Sequence, residues 1–399
     1  MTAKIPKHWK IKTLGEIGKV KMCKRIFKDQ TNKDSNGISF YKIGTFGGNP
    51  DAFITKELYN EYKNKYPYPK KGDVLISAAG TIGRLVVFDG IPSYFQDSNI
   101  IWIENDENIA LNKYLYHLYS NVKWKTTEGG IVSRLYNADV ESLELPIPPL
   151  EEQEKIAEIL LTCDKAIRLT TQIITQLKQR NQGLAQQLLT GEKRVKGFEK
   201  SVWKEVRLGE IGFFFKGKGV SKNKIIDKGF KCLTYGDLYT KYDFVIKDVK
   251  SFINKETALI SQEIRYGDIC FAGSGETLED IGKCATFIDD EIGYAGGDII
   301  VFRTKQNPIT MSYLLNSDIV KKQKTKMGQG HSVVHIYSSQ LEKLEVSLPS
   351  LTEQNAIAQI LDTAHQELKL YEQKLQLLQA QKKTLMQKLL TGEVLTIKK

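Results

Sequence analysis

Three stretches of this 399-residue chain set residue types at spacings that could do chemistry. Gly212-Phe213-Phe214-Phe215-Lys216-Gly217-Lys218-Gly219 imitates a phosphate-binding loop, where backbone amides and a lysine cradle a nucleotide. It lacks the closing Ser or Thr that would hold magnesium, and three phenylalanines do not suit a phosphate cradle. The stretch therefore reads as a strand and a turn. Pro50-Asp51 with Glu61-Tyr62-Lys63 imitates the acidic and lysine set of a magnesium-dependent nuclease. Such loose patterns arise by chance, and the second half of the chain has no counterpart. His331 and His335 stand four apart with no third ligand nearby, so zinc is not expected. There is also no Asn-Pro-Pro-Tyr or Asp-Pro-Pro-Tyr stretch of an amino-methyltransferase. Binding is favoured over catalysis.

Other groups suit a polyanion. Lys19, Lys21, Lys24 and Arg25 form a basic run, matched later by Lys216, Lys218, Lys222 and Lys224. Lys42-Ile43-Gly44-Thr45-Phe46 corresponds to Thr234-Tyr235-Gly236-Asp237-Leu238. The loop from Ser77 through Thr81 to Arg84 corresponds to the longer one from Ala272 through Ser274 to Lys283. Glycines let a backbone approach closely, hydroxyls and amides hold phosphates, and Arg or Lys can take phosphate or guanine. Arg134, after Ser133, and the pair His331-Ser332 precede long helical segments and are further candidates. The ordinary alternative is a solvated charged face and a glycine-rich hairpin. Lys plus Arg outnumber Asp plus Glu by 58 to 47, a net charge of +11 that suits nucleic acid. The five cysteines show no paired spacing, which fits a reducing cytoplasm. No apolar run is long enough to span a membrane.

These groups belong to a chain written twice. Trp9 with Leu14-Gly15-Glu16-Ile17-Gly18 returns as Trp203 with Leu208-Gly209-Glu210-Ile211-Gly212, an offset of 194. Phe53-Ile54-Thr55-Lys56-Glu57 returns as Phe252-Ile253-Asn254-Lys255-Glu256. Pro148-Pro149-Leu150-Glu151-Glu152-Gln153 returns as Pro349-Ser350-Leu351-Thr352-Glu353-Gln354, and Leu188-Leu189-Thr190-Gly191-Glu192 as Leu389-Leu390-Thr391-Gly392-Glu393. The last two offsets are both 201, so a fixed-length element twice follows a domain of variable length.

Periodicity identifies the fixed element. Ile156, Leu160, Cys163, Ile167, Thr170, Ile174, Leu177, Asn181, Leu184 and Leu188 step by four and three, and the same phase recurs from Ile357 to Leu389. Such a seam predicts a coiled coil, closed by Gly191 and Gly392. About 36 helical residues at 1.5 Å each make a rod on the order of 55 Å. The globular parts contain short strand-like runs, as at Val74-Leu75-Ile76, Leu85-Val86-Val87-Phe88 and Ile299-Ile300-Val301-Phe302, and a helix around Tyr114–Tyr119. The fold class is α+β: two mixed α/β domains in pseudo-two-fold repeat, separated by two long antiparallel helices. The expected boundaries are a first domain at 1–147, a helix at 148–192, a linker at 193–197, a second domain at 198–348, a helix at 349–393 and a tail at 394–399. Antiparallel pairing sets Asn181 against Ala364 and Lys382 against Cys163, a device that can fix register. Parallel helices are the alternative. Domains held apart by a rod suit two unlike half-sites on a duplex.

Pro148-x-Leu150-x-Glu152-Gln153-x-x-Ile156-Ala157-x-Ile159-Leu160, repeated at Pro349, Leu351, Glu353, Gln354, Ile357, Ala358, Ile360 and Leu361, resembles the conserved signature of type I restriction-modification specificity subunits. The Leu-Leu-Thr-Gly-Glu endings are also similar to that family, and the resemblance covers essentially the whole chain. It implies two target-recognition domains and a non-catalytic chain that reads double-stranded DNA. It implies two modification subunits on the helices and, in the full complex, two restriction subunits. The partners would use S-adenosylmethionine, ATP and magnesium; this chain would bind no cofactor itself. Glu152, Gln153, Glu353 and Gln354 are the expected partner contacts, with capping of their own helices as the alternative. The rival functions are a magnesium-dependent endonuclease built on Asp51, Glu61 and Lys63, or a protein-binding adaptor.

Overall fold

The structure is a computed structural model, and it describes residues 5–124, 134–330 and 333–396. The chain divides into two compact units, 1–171 with 374–399, and 172–373. Each unit therefore contains a globular part, the start of its own long helix and a stretch of the other helix.

In the first unit a four-stranded antiparallel sheet runs in the order Gly18–Lys21, Ile100–Asn105, Val74–Ser77, Leu85–Val87. Every residue of Val74–Ser77 is buried, so the strand works through both faces. Val74 and Ile76 join Ile101 and Ile103 against the helix Asn112–Asn121 and the helical residues Ile156, Ala157 and Leu160. Leu75 joins Ile100 and Trp102 against a second layer containing Phe40, Ile54 and Tyr94. That layer is a three-stranded sheet in the order Phe53–Ile54, Ile38–Tyr41, Ser93–Phe95. A two-residue side-chain period thus builds two cores from one strand.

The second unit uses the same plan. Its five-stranded sheet runs Gly212–Lys216, Ile299–Thr304, Ile269–Ala272, Cys284–Phe287, Val245–Ile246. Ile269 and Phe271 pack with Met311, Leu315, Ile357 and Leu361, while Cys270 and Ala272 pack with Leu233, Leu238 and Val301. The repeated Leu-Gly-Glu-Ile segments are short helices, Leu14–Ile17 and Leu208–Ile211. Glu16 accepts the Thr13 amide at 2.8 Å and Glu210 accepts the Arg207 amide at 3.1 Å, which satisfies a free backbone donor at each start. The stretch resembling a phosphate loop begins with the strand Gly212–Lys216, as expected.

The two long helices, Leu150–Leu189 and Leu351–Leu390, have 40 residues each. Every seam position expected from the sequence is buried or half-buried. Gly191 and Gly392 both take φ +73, the left-handed conformation of a helix-terminating glycine. A Cβ on Gly392 would stand 2.4 Å from the Pro6 ring, so the position is closed to larger residues. Within the second unit, Asn181 Nδ2 donates to the Ala364 carbonyl at 2.8 Å, Arg180 meets Glu367 at 2.7 Å and Lys178 meets Glu372 at 2.9 Å. Residue numbers rise on one helix as they fall on the other, so these stretches are antiparallel. Within the first unit Lys382 pairs with Asp164, one residue beyond the expected Cys163. Within the expected linker, Arg194 ion-pairs with buried Glu353 at 2.9 Å.

Candidate nucleic-acid interface

The first unit knits four loop segments together through backbone and side-chain hydrogen bonds. Ser77 Oγ accepts the Arg84 amide at 2.7 Å and donates to the Thr81 carbonyl at 2.6 Å, which closes the glycine loop after the central strand. Arg84 Nη1 then donates to the Phe46 carbonyl at 2.7 Å, tying that loop to the Lys42–Phe46 turn. Inside the turn Thr45 Oγ1 accepts the Lys42 amide at 3.1 Å. Gln96 Oε1 accepts the Ile43 amide at 2.9 Å, and Ala78 donates to the Asn99 carbonyl at 2.7 Å. Arg134 Nη2 donates to the Ser98 carbonyl at 2.7 Å. Lys42, Thr45, Ser77, Thr81, Arg84 and Arg134 therefore belong to one neighbourhood, in which Thr81 and Arg84 are exposed.

The basic run is partly neutralised within the protein. Lys21 meets Glu104 at 3.4 Å, Arg25 meets Asp97 at 2.9 Å, and the Lys24 ammonium lies 5.3 Å from the centre of the Tyr66 ring. Lys19 is exposed and enters no ion pair among the described residues. The residues of the nuclease-like pattern have separate engagements. Asp51 is 2.7 Å from Lys42, whose hydrogen bond holds its carboxyl below the usual carboxylate range. Lys63 lies over the Tyr59 and Tyr68 rings.

In the second unit, Lys216, Lys218 and Lys222 are exposed. Tyr235, 41% exposed, opens a helix, Tyr235–Thr240, where the corresponding part of the first unit is a turn. Ser274 Oγ lies 3.0 Å from His335 Nδ1. Lys283 Nζ reaches the Tyr239 carbonyl at only 3.5 Å. The loop is underpinned by Lys324, which is 1% exposed and donates to the Gly282 carbonyl at 2.6 Å. Burial pushes the Lys324 ammonium down to about 8, because the charged form loses its hydration. His331 and Ser332 lie outside the described residues.

The four expected partner contacts are corrected. Glu152 and Glu353 are 1% and 0% exposed, and Gln153 and Gln354 are 0% exposed. Glu152 Oε2 accepts from Trp9 Nε1 at 3.0 Å and lies 3.0 Å from His8 Nε2. Glu353 accepts from Arg194 Nε at 3.0 Å, Arg194 Nη2 at 2.9 Å and Ser201 Oγ at 2.6 Å. Gln153 accepts the Leu111 amide at 2.7 Å and donates to the Ile109 and Pro148 carbonyls; Gln354 accepts the Asn307 amide at 3.0 Å and donates to the Pro349 carbonyl. Each Glu-Gln pair fastens its helix start to its own globular part. Neither glutamate caps its helix. A buried carboxylate needs such donors, which is why the pair points inward.

The family described as the type I restriction modification DNA specificity domain matches twice, at residues 6–179 and 200–380. The chain belongs to this family. It is 59% identical over 164 residues to a putative type I restriction enzyme specificity subunit, S.HindORF215P, of Haemophilus influenzae, a match that takes in 41% of this chain and 42% of that relative. It is 25% identical to the putative MjaX specificity subunit of Methanocaldococcus jannaschii, over 98% of this chain and 94% of that one. The MjaVIII specificity subunit of the same organism is also 25% identical over the same shares. The fold is that of a type I restriction-modification S subunit from M. genitalium, at TM-score 0.65 and 17% identity over 98% of this chain and 99% of that one. A second solved structure, concerned with complex assembly and conformational transition of the type I system, gives TM-score 0.54 at 17% identity over 98% of this chain and 100% of that one.

The structural counterpart of Arg134 in the second unit is His335. Arg134 bridges Ala79 and His335 bridges Ser274, each two residues past the central strand. The signal was present, since Arg134-Leu135-Tyr136 and His335-Ile336-Tyr337 carry the offset of 201 upstream of the prolines.

Proposed function

We propose that this specificity subunit of a type I restriction-modification system reads an asymmetric, two-part double-stranded DNA target, one half by each unit. The observation that carries this reading is a shared framework with unlike loops. The central strand, its glycine loop and the helix-anchoring Glu-Gln pair recur, but the Lys42–Phe46 turn becomes the helix Tyr235–Thr240, and Arg134 becomes His335. Affinity would come from phosphate contacts by groups such as Lys19, Lys216, Lys218 and Lys222, and discrimination from the loops. The chain itself would perform no reaction. Two modification subunits, with two restriction subunits in the full complex, would bring S-adenosylmethionine, ATP and magnesium, in the cytoplasm. Among the described residues no helix is long and apolar enough to cross a membrane.

Domain exchange tests this. Replacing residues 198–348 by a relative's segment should change one half of the methylated motif and leave the other, as read by methylome sequencing. If both halves change, the units are not independent readers. The nuclease reading requires the purified chain with magnesium to cleave DNA, and cleavage to disappear in Asp51→Ala. An adaptor would give no salt-dependent DNA binding by the assembled complex.

A further inference from the structure

Both units carry the same chain crossing beside the glycine loop. Ala79 forms an antiparallel bridge with Arg134, and Ser274 stands opposite His335 in an antiparallel pair of short strands. The next residues agree in detail. Leu135 donates to the Ala78 carbonyl at 2.8 Å, and Ile336 donates to the Gly273 carbonyl at 3.0 Å. Leu135 and Ile336 are buried, while the tyrosines that follow, Tyr136 and Tyr337, are 55% and 52% exposed. Each tyrosine precedes a short helix, Asn137–Glu141 or Ser338–Leu341. The backbone frame is therefore the same, and the side chain it presents is an arginine in one unit and a histidine in the other.

Each of those side chains is held at one end and has hydrogen-bonding groups left over. Arg134 uses Nη2 on the Ser98 carbonyl, one of the five N–H donors of a guanidinium. His335 uses Nδ1 on the hydroxyl of Ser274, which is 6% exposed. In the tautomer in which that hydroxyl donates to Nδ1, Nε2 carries the proton and can donate outward. His335 also lines a small cavity of about 70 Å³ together with Lys216, Ser274, Asp298 and Tyr337. A pre-oriented donor beside a lysine and an exposed aromatic ring is suited to a base edge next to a phosphate.

We propose that residues 134 and 335 occupy equivalent base-reading positions, with Tyr136 and Tyr337 packing against the adjoining sugar-phosphate. Arg134 would take the O6 and N7 acceptors of a guanine, and His335 would donate one hydrogen bond from Nε2 to a purine N7. Ser274 is then a positioning residue for the His335 ring. The inference rests on the proposed function, because it assigns to each unit a residue that makes its half-site different.

The assembled methyltransferase tests it, carrying the wild-type chain or His335→Arg, His335→Gln, Ser274→Ala or Arg134→His, with motifs read by methylation sequencing. His335→Arg should lower methylation of the original motif at least tenfold and change the accepted base at one position of one half-site. Ser274→Ala should relax that same position to more than one base. Arg134→His should alter a position in the other half only. His335→Gln replaces the ring by a side-chain amide that keeps a neutral N–H donor, and it serves if the arginine variant fails to assemble; altered discrimination at that base supports the assignment. Variants that methylate an unchanged motif, or lose activity with the same preference at every position, overturn it. A wild-type complex that methylates no two-part motif overturns the functional reading itself.

Discussion

Replacing Arg194 by alanine should cost the second unit about 4 kcal/mol. The reason lies at Glu353, whose carboxylate is 0% exposed and has three donors, two of them from Arg194. The alanine variant leaves Ser201 Oγ as the one remaining donor. Two charge-assisted hydrogen bonds at about 1.5–3 kcal/mol each are lost, and a buried charge stripped of its partner costs roughly 3–5 kcal/mol. For a unit of about 200 residues, each kcal/mol is worth about 2–4 °C, so the melting temperature should fall by about 8–16 °C. Trp203 is the one tryptophan between residues 172 and 373, and the Arg194 guanidinium lies 5.4 Å from its ring, so its fluorescence reports this unit. Hydrogen exchange in peptides covering 351–360 gives a second measurement. The double variant Arg194→Ala with Glu353→Gln removes the stranded charge and should recover about half of the loss. A single variant that costs less than about 1 kcal/mol, or a double variant no better than the single, would refute the reasoning. The same geometry bears on assembly. Charge reversal at Glu353 or Glu152 should weaken folding first, so loss of a partner in that variant would say nothing about docking.

Other perturbations follow from particular groups. His117 is 0% exposed, and burial pulls its imidazole down to about 4 against the opposing pull of Asp164, with Lys382 also nearby. The unfolded chain therefore takes up the proton first as pH falls from about 6.5 to about 4, and stability should drop across that window by up to about 3 kcal/mol more than in His117→Phe; equal slopes for the two proteins would contradict this. Asn181→Leu should stabilise the second unit by about 1 kcal/mol in chemical denaturation. Asn181 is a polar seam residue lining a cavity of about 480 Å³ with Phe244, Tyr313 and His365, so a leucine has room, and marked destabilisation would show that its bond to Ala364 matters more than burial. Arg84→Ala should weaken DNA binding by the assembled complex by about 1–3 kcal/mol, and unchanged affinity and motif would confine Arg84 to holding the Phe46 carbonyl.

The helices were legible because they obey two rules that a sequence displays without folding. Their seam repeats with the helical period, and the offset of 201 fixes their equal length. Even the register could be anticipated, since Asn181 does meet the Ala364 carbonyl. Lys382 shows the limit: it is long enough to pass Cys163 and reach the charge on Asp164, a choice made by electrostatics rather than by the seam. The central strand Val74–Ser77 was also legible as an apolar run. Its two-sided burial was not, because the second layer is built from segments such as Ile38–Tyr41 and Ser93–Phe95 that are far apart in sequence.

The candidate interface was legible as composition and illegible as geometry. Basic residues and glycine loops announce themselves, but whether a lysine is available depends on its neighbours. Lys42 and Arg25 are paired with Asp51 and Asp97, while Lys19 is not paired among the described residues. Glu152 and Gln153 misled for the opposite reason. A repeated polar pair at a helix start suggests a surface, and only the fold shows Trp9 and the Leu111 amide closing over it. His335, as the counterpart of Arg134, was obscured by difference, since a search for likeness passes over a position where the two halves disagree. The frame around them is constant: a buried aliphatic residue, an exposed tyrosine and the same backbone bond to the glycine-loop segment. In a duplicated reader of two unlike half-sites, constancy of the frame with change of the presented side chain is what recognition requires.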